Sequence, residues 1–249
     1  MNALYDTIGV DYAQLRKPDP RIARQIHEAI GDAGTILNVG AGSGSYEPQG
    51  RELTALEPSA EMIAQRPTSD AVAIQGSAEA LPFADKSFDA SMAVLTIHHW
   101  SDQARGCAEM RRVTRGPVVF LTFDTNKKGF WLFDYFPALL RLDEAAMPPM
   151  DQYAHWLGDV AVETVPIPHD CTDGFLAAYW RRPAAYLDPR IRRAMSSFWK
   201  IGDVSDGLEQ LDRDLKDGSW ETRYGHLLKL DTLDCGYRLV RTTHPARCQ

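Results

Sequence analysis

The stretch Thr35-Ile36-Leu37-Asn38-Val39-Gly40-Ala41-Gly42-Ser43-Gly44 decides how this chain is read. A short, largely apolar run without helical period passes straight into three glycines at alternate positions. Such a run reads as a strand buried on both faces. Glycine carries no Cβ, so the loop that follows can turn sharply and let a ligand approach its backbone. Upstream, Asp19 can cap a helix and Pro20 suits its first turn. Ile22, Ile26 and Ile30 then recur every four residues, and Gly31 and Gly34 end that helix.

Strand and helix signals alternate downstream. Residues 52–57 read as a second strand, and Pro58 and Ser59 open a short helix through Met62 and Ile63, stopped at Pro67. Residues 71–75 form a third strand and 88–95 a fourth. Ser101 can cap a helix carrying Cys107, Met110 and Val113, closed by Gly116. Val118-Val119-Phe120-Leu121 is the centre of a fifth strand. The alternation predicts a parallel sheet with helices on both faces, an α/β doubly wound fold. Beyond Asp124 the pattern breaks into aromatics and prolines. A strand is expected over 160–167 and a last one over 236–241. Between them, Asp188-Pro189 opens a helix carrying Ile191, Met195 and Phe198. Ser205 opens another that ends at Gly218, and Trp220, Tyr224, Leu227 and Leu228 mark a third. The expected organisation is one domain over 1–249. Its core takes in about 20–124, 156–170 and 233–244, and its helical cap about 1–19, 125–155 and 171–232.

Composition narrows the function. With 27 Lys and Arg against 34 Asp and Glu, the formal net charge is −7. A nucleic-acid binder usually carries a basic stripe instead, so no nucleic-acid partner is expected. No run approaches 18 apolar residues, and residues 1–6 lack the basic and apolar regions of a signal peptide, so a cytoplasmic protein without a membrane partner is expected. Cys107, Cys171, Cys235 and Cys248 show no zinc spacing and read as reduced thiols. No metal site and no nucleophile triad is evident.

In a doubly wound sheet, ligands bind at the carboxyl ends of the strands. A strand, a glycine loop, a helix and a strand-terminal acid are therefore expected to build one nucleotide site. Glu57 is that acid, 13 residues beyond Gly44 and placed to accept hydrogen bonds from a ribose diol. The loop reads G-x-G-x-G rather than G-x-G-x-x-G, with serine at position 45, which counts against a dinucleotide.

Four segments in order carry a more specific signal: the glycine loop, Leu56-Glu57-Pro58-Ser59-Ala60-Glu61-Met62, Gly76-Ser77-Ala78-Glu79-Ala80-Leu81-Pro82-Phe83, and Ser87-Phe88-Asp89-Ala90 followed by Val94-Leu95-Thr96-Ile97-His98-His99. On these the chain resembles the class I S-adenosylmethionine-dependent methyltransferases, in the ubiquinone/menaquinone-biosynthesis-like (methyltransferase type 11) branch. The resemblance covers about residues 35–124. It implies a seven-stranded, mostly parallel Rossmann-like sheet with an added helical cap. It also implies S-adenosyl-L-methionine as cofactor and methyl transfer to an O, N or C nucleophile of a small molecule.

Residue by residue, the resemblance assigns the cofactor to Asn38, Gly40, Ala41, Gly42, Glu57, Pro58, Ser77, Ala78 and Val94. Tyr5, Tyr12 and Arg16 would close over it from the leader. Asn38 and Ser77 stand where the family often has Asp. His98 or His99 is the candidate catalytic base. Phe130, Trp131, Phe133, Tyr135, Phe136, Tyr179, Trp180 and Trp199 either line an acceptor pocket or form the core of the cap, and Arg181-Arg182 either binds an acidic acceptor or is a solvated pair. A monomer or homodimer is expected. Two other readings stay open: a protein that binds the cofactor without methylating, as a cyclase or regulator, and an NAD-dependent oxidoreductase.

Overall fold

The computed structural model describes residues 15–243. Tyr5, Tyr12 and Cys248 lie outside them. The first helix, α1 (Pro20–Ile30), forms as its signals require. The Asp19 side chain accepts from Arg21 N at 3.0 Å, and Ile22, Ile26 and Ile30 are buried. Strands β1 (Thr35–Val39), β2 (Glu52–Glu57), β3 (Val72–Gln75), β4 (Ala90–Val94) and β5 (Val118–Phe123) pair in parallel. With β6 (Val160–Thr164) and β9 (Tyr237–Thr242) they make a seven-stranded sheet in the order β3-β2-β1-β4-β5-β9-β6, in which β9 runs antiparallel to both neighbours. The order reverses between β1 and β4, the switch point where a doubly wound sheet opens a crevice.

Helices cover both faces. α1 packs on one face beneath the apolar cluster that continues into the cap. On the other lie α3 (Gln103–Val113) and α6 (Met150–Leu157). The α3 cap is Asp102, whose carboxylate accepts from Arg105 N at 2.9 Å, and not Ser101. Ser101 instead gives both its backbone N–H and its hydroxyl to Glu79 Oε1. α6 begins inside the segment expected as cap, about 125–155, and runs into the expected core, and it packs in the sheet layer. Its Tyr153 is fully buried against Phe120 and donates to Thr122 Oγ1 at 2.7 Å. An aromatic-rich sequence cannot tell a cap helix from a sheet-packing one, because both hide one apolar face.

Two further differences have local causes. No helix joins β1 to β2: residues 40–51 form turns, followed by the short α2 (Ala60–Ala64) only after β2. Glycines at 40, 42, 44 and 50 and Pro48 remove helix propensity there, and Tyr46 takes a positive φ of 66°. The expected strand 160–167 divides. Pro166 has no N–H to give the ladder, so β6 stops at Thr164 and β7 (Ile167–Pro168) pairs instead with β8 (Thr232–Leu233) in a two-stranded ribbon.

The cap comprises α4 (Leu132–Tyr135), α5 (Pro137–Ala146), α7 (Pro189–Arg193), α8 (Ser196–Lys200), α9 (Ser205–Asp217) and α10 (Ser219–Tyr224). The helix expected from Asp188 breaks into α7 and α8 at Ala194-Met195. Trp131 centres the cap core, edge-on to Tyr186 and Trp220, with its Nε1 donating to Trp180 O at 2.8 Å.

Candidate functional site

A cavity of about 620 Å³ opens at the carboxyl ends of β1, β2 and β4, roofed by cap helices α5 and α8. Among its lining residues are Arg16, Asn38, Gly40, Ala41, Gly42, Glu57, Pro58, Ser77, Ala78, Val94, His98 and His99. Every described residue assigned to the cofactor, and both candidate bases, thus reach one space. The backbone explains the glycine loop. Gly40 N and Ala41 N both donate to Leu56 O, at 2.8 and 3.0 Å, stitching the loop to the end of β2. Gly40 has φ +68°, and a Cβ there would overlap Thr96 Oγ1.

Glu57 is 7% exposed at the end of β2. Its Oε2 accepts from Gly42 N at 2.9 Å and its Oε1 from Ser59 N at 3.0 Å. Each oxygen uses one acceptor site, and a carboxylate has about four, so the backbone fixes its orientation while leaving capacity for two hydroxyl donors. Asn38 is 1% exposed. Its Nδ2 donates to Glu47 Oε1 at 2.9 Å, and Glu47 pairs with Arg66 at 2.6 Å. That bond orients the amide and leaves Oδ1 buried without a partner among the described residues. A buried acceptor left unpaired is costly, and an ammonium donor would satisfy it. Nothing in the sequence singled out Glu47 or Arg66, since a polar loop residue and a helix-end arginine are ordinary features until they meet.

Arg16 Nε pairs with Asp173 Oδ1 at 2.6 Å, and Tyr46 donates its hydroxyl to Asp173 Oδ2 at 2.7 Å. Burial, then the charge of Asp173, push the Tyr46 phenol far up, so it remains a donor. The histidines follow β4 on a 3-10 turn, Ile97–His99, with ring centroids 4.0 Å apart. They face the cavity, His98 half-buried and His99 exposed to it, and the neighbouring protein desolvates both rings in part. That desolvation depresses both, His98 well below its ordinary value with help from His99 and Lys200, and His99 to about 4 with help from Lys200. Both are neutral at pH 7. Asp143 on α5 moves the opposite way, pushed up to about 7 by burial. Groups perturbed in opposite directions around one cavity mark a candidate site.

The aromatic question resolves toward packing. Phe130, Trp131, Phe133, Tyr135, Phe136, Tyr179 and Trp180 are buried in the cap core, and Trp199 packs against it. The aromatics on the cavity are Tyr46, Trp100, Phe123, Phe175 and Tyr237. Arg181 donates to Leu230 O, and Arg182 donates to Cys171 O and Ala178 O and lies over the Tyr179 ring, so both arginines support the chain.

This fold and site define a class I methyltransferase. A methyltransferase-domain family model matches residues 37–121. The chain is 30% identical over 170 residues to the demethylmenaquinone methyltransferase of Renibacterium salmoninarum, covering 56% of this chain and 72% of that one. It is 33% identical over 129 residues to the malonyl-[acyl-carrier protein] O-methyltransferase of Erwinia billingiae, covering 48% of this chain and 51% of that one, so the chain spans about half the length of that relative. Its structure matches that of a protein described as a methyltransferase from an antibiotic biosynthesis pathway of Anabaena variabilis. The TM-score is 0.87 at 36% identity, over 93% of this chain and all of the other. The chain belongs to the class I S-adenosylmethionine-dependent methyltransferases, in their ubiquinone/menaquinone-like branch. No helix among the described residues is long and apolar enough to cross a membrane.

Proposed function

We propose that the cavity binds S-adenosylmethionine and transfers its methyl group to a nucleophile of a small molecule held beneath the cap. The observation that carries this is the unpaired Oδ1 of Asn38 beside a loop whose carboxylate, Glu57, keeps free acceptor capacity. In this reading Asn38 accepts from the cofactor's ammonium, and Glu57 accepts from its ribose hydroxyls. Ser77 and Ala78 border the adenine, and Arg16 closes the site from the leader. When bound, the cofactor supplies an electrophilic sulfonium methyl. The chain's own part is alignment and exclusion of water, which account for most of the acceleration in such a displacement. His98 or His99 is the candidate to accept a proton from an acceptor that must lose one; both are neutral, and the desolvation that keeps them so makes each a weaker base than a free imidazole.

Calorimetric titration with S-adenosylhomocysteine, with NAD alongside, tests the cofactor. Micromolar binding of the first and none of the second is expected, and the reverse overturns the reading. Release of S-adenosylhomocysteine during turnover then separates transfer from binding alone. Glu57→Ala is expected to weaken S-adenosylhomocysteine by about 1–3 kcal/mol, the value of one or two hydrogen bonds. Unchanged affinity in that variant removes Glu57 from the ribose.

A further inference from the structure

The charged side chains on the cavity are unequal. Arg16 is paired with Asp173, Glu57 is held by two backbone N–H groups, and Glu79 accepts from Ser101 and from Asp102 N. Asp143 on α5 and Lys200 at the end of α8 differ from them. Among the described residues neither side chain makes a hydrogen bond or an ion pair within 4 Å, although each feels the other's charge. Lys200 also acts electrostatically on His98 and His99, so these four groups share one region of the cavity. An aromatic wall completes it. Phe123 stands edge-on to Tyr237 at 5.4 Å, and Phe175 lies 4.8 Å from the same ring.

We propose that this region is the acceptor site and that it selects a small aromatic acid, whose carboxylate pairs with the Lys200 ammonium while its ring lies against Phe123 and Phe175. The inference rests on the methyl-transfer reading of the cavity. Three features support an anion over a cation. Both imidazoles are neutral at pH 7 and do not oppose either charge. Asp143, at about 7, takes up a proton at little cost when an anion arrives. Lys200 sits on the cavity with no ion-pair partner within 4 Å among the described residues, open to an incoming anion. Desolvation has already lowered Lys200, and a carboxylate partner would restore what burial removed. An amine acceptor would have to settle beside that ammonium, with Asp143, pushed up to about 7, the acid that acts on Lys200 there. Lys200 and Asp143 are therefore specificity-determining residues, placed on two cap helices that pack against each other.

The test pairs each acid with its neutral twin. Hydroxy- and dihydroxybenzoates, and the matching benzamides, are titrated calorimetrically into the protein saturated with S-adenosylhomocysteine. Binding of S-adenosylhomocysteine alone is measured first in wild type, Lys200→Gln, Lys200→Arg and Asp143→Asn. If it fails in wild type, the cofactor reading falls, and the acid–amide comparison is run on the free protein to judge the acceptor site by itself. The expected result is that benzoates bind about tenfold or more tighter than benzamides, as a charge-assisted hydrogen bond provides. Lys200→Gln should bring the two within about twofold, Lys200→Arg should keep the preference, and Asp143→Asn should keep or increase it. Lys200 is exposed at a helix end, so the glutamine variant should fold, and the thermal midpoint checks this. Should it not fold, the wild-type comparison and Lys200→Arg decide. Equal affinity for acid and amide, binding of neither, or a preference that survives Lys200→Gln overturns the proposal.

Discussion

Gly40→Ala is expected to abolish S-adenosylhomocysteine binding and to destabilise the protein by about 2–5 kcal/mol. Two costs add. A φ of +68° places alanine in the left-handed region, at about 1–2 kcal/mol. The new Cβ would also overlap Thr96 Oγ1 and lie 2.9 Å from its Cβ and Cγ2. Thr96 cannot simply withdraw, because it is buried at 8% exposure and its carbonyl accepts from His99 N. Such overpacking costs about 1–3 kcal/mol. For a chain of this size the sum lowers the thermal midpoint by about 4–20 °C. Thr96→Ala in the same molecule removes the hydroxyl and methyl and should recover part of the loss, leaving the backbone cost. A Gly40→Ala protein that melts and binds like wild type would show that β1 and the turn after β4 are not packed as described.

Asp173→Ala should cost about 3–5 kcal/mol, the usual result of removing one partner of a buried pair. Asp173 is fully buried and receives Arg16 at 2.6 Å and the Tyr46 hydroxyl at 2.7 Å. Alanine leaves both donors without that acceptor. The same residue faces Arg16 across an isolated bridge, and Gly174 N donates to Leu15 O, so it also ties residues 15–17 to the cap. Thermal unfolding should therefore begin earlier, and proteolysis before Pro18 should accelerate at temperatures where the core remains folded. Asp173→Asn keeps one oxygen and should lose about half as much. Loss below about 1 kcal/mol in the alanine variant would place the leader's attachment elsewhere.

The orientation of Asn38 shows how little a residue's identity says by itself. Its amide could be turned either way, and an acceptor or a donor would then be left over. Glu47 decides it by accepting from Nδ2, and Arg66 holds Glu47 in place. The sequence marks Asn38 through its position between a strand and a glycine. It carries no mark on Glu47, nine residues along a polar loop, or on Arg66, just past a short helix.

Local chemistry accounts for what was legible. Ile22, Ile26 and Ile30 at helical spacing, the apolar run 35–39 into alternate glycines, and an acid at the end of the next strand are patterns within a few residues of one another. Each has a physical cause inside its own window, so α1, β1, the glycine loop, β2 and the placement of Glu57 could be read from the chain alone. The helix expected after the loop failed for an equally local reason, the weight of glycine and proline over 40–50. Burial and pairing between distant segments have no such window. Whether Tyr153 caps the site or lines the sheet, whether Trp131 meets a ligand or the cap core, and how Asp143 and Lys200 come to face His98 and His99 were decided by packing across intervals of tens to more than a hundred residues. A carboxylate in one amphipathic helix and a lysine ending another look like solvated charges in the sequence. Only the tertiary structure, by closing the cap over the switch point of the sheet, brings them to one cavity, where among the described residues neither side chain has a hydrogen-bond or ion-pair partner.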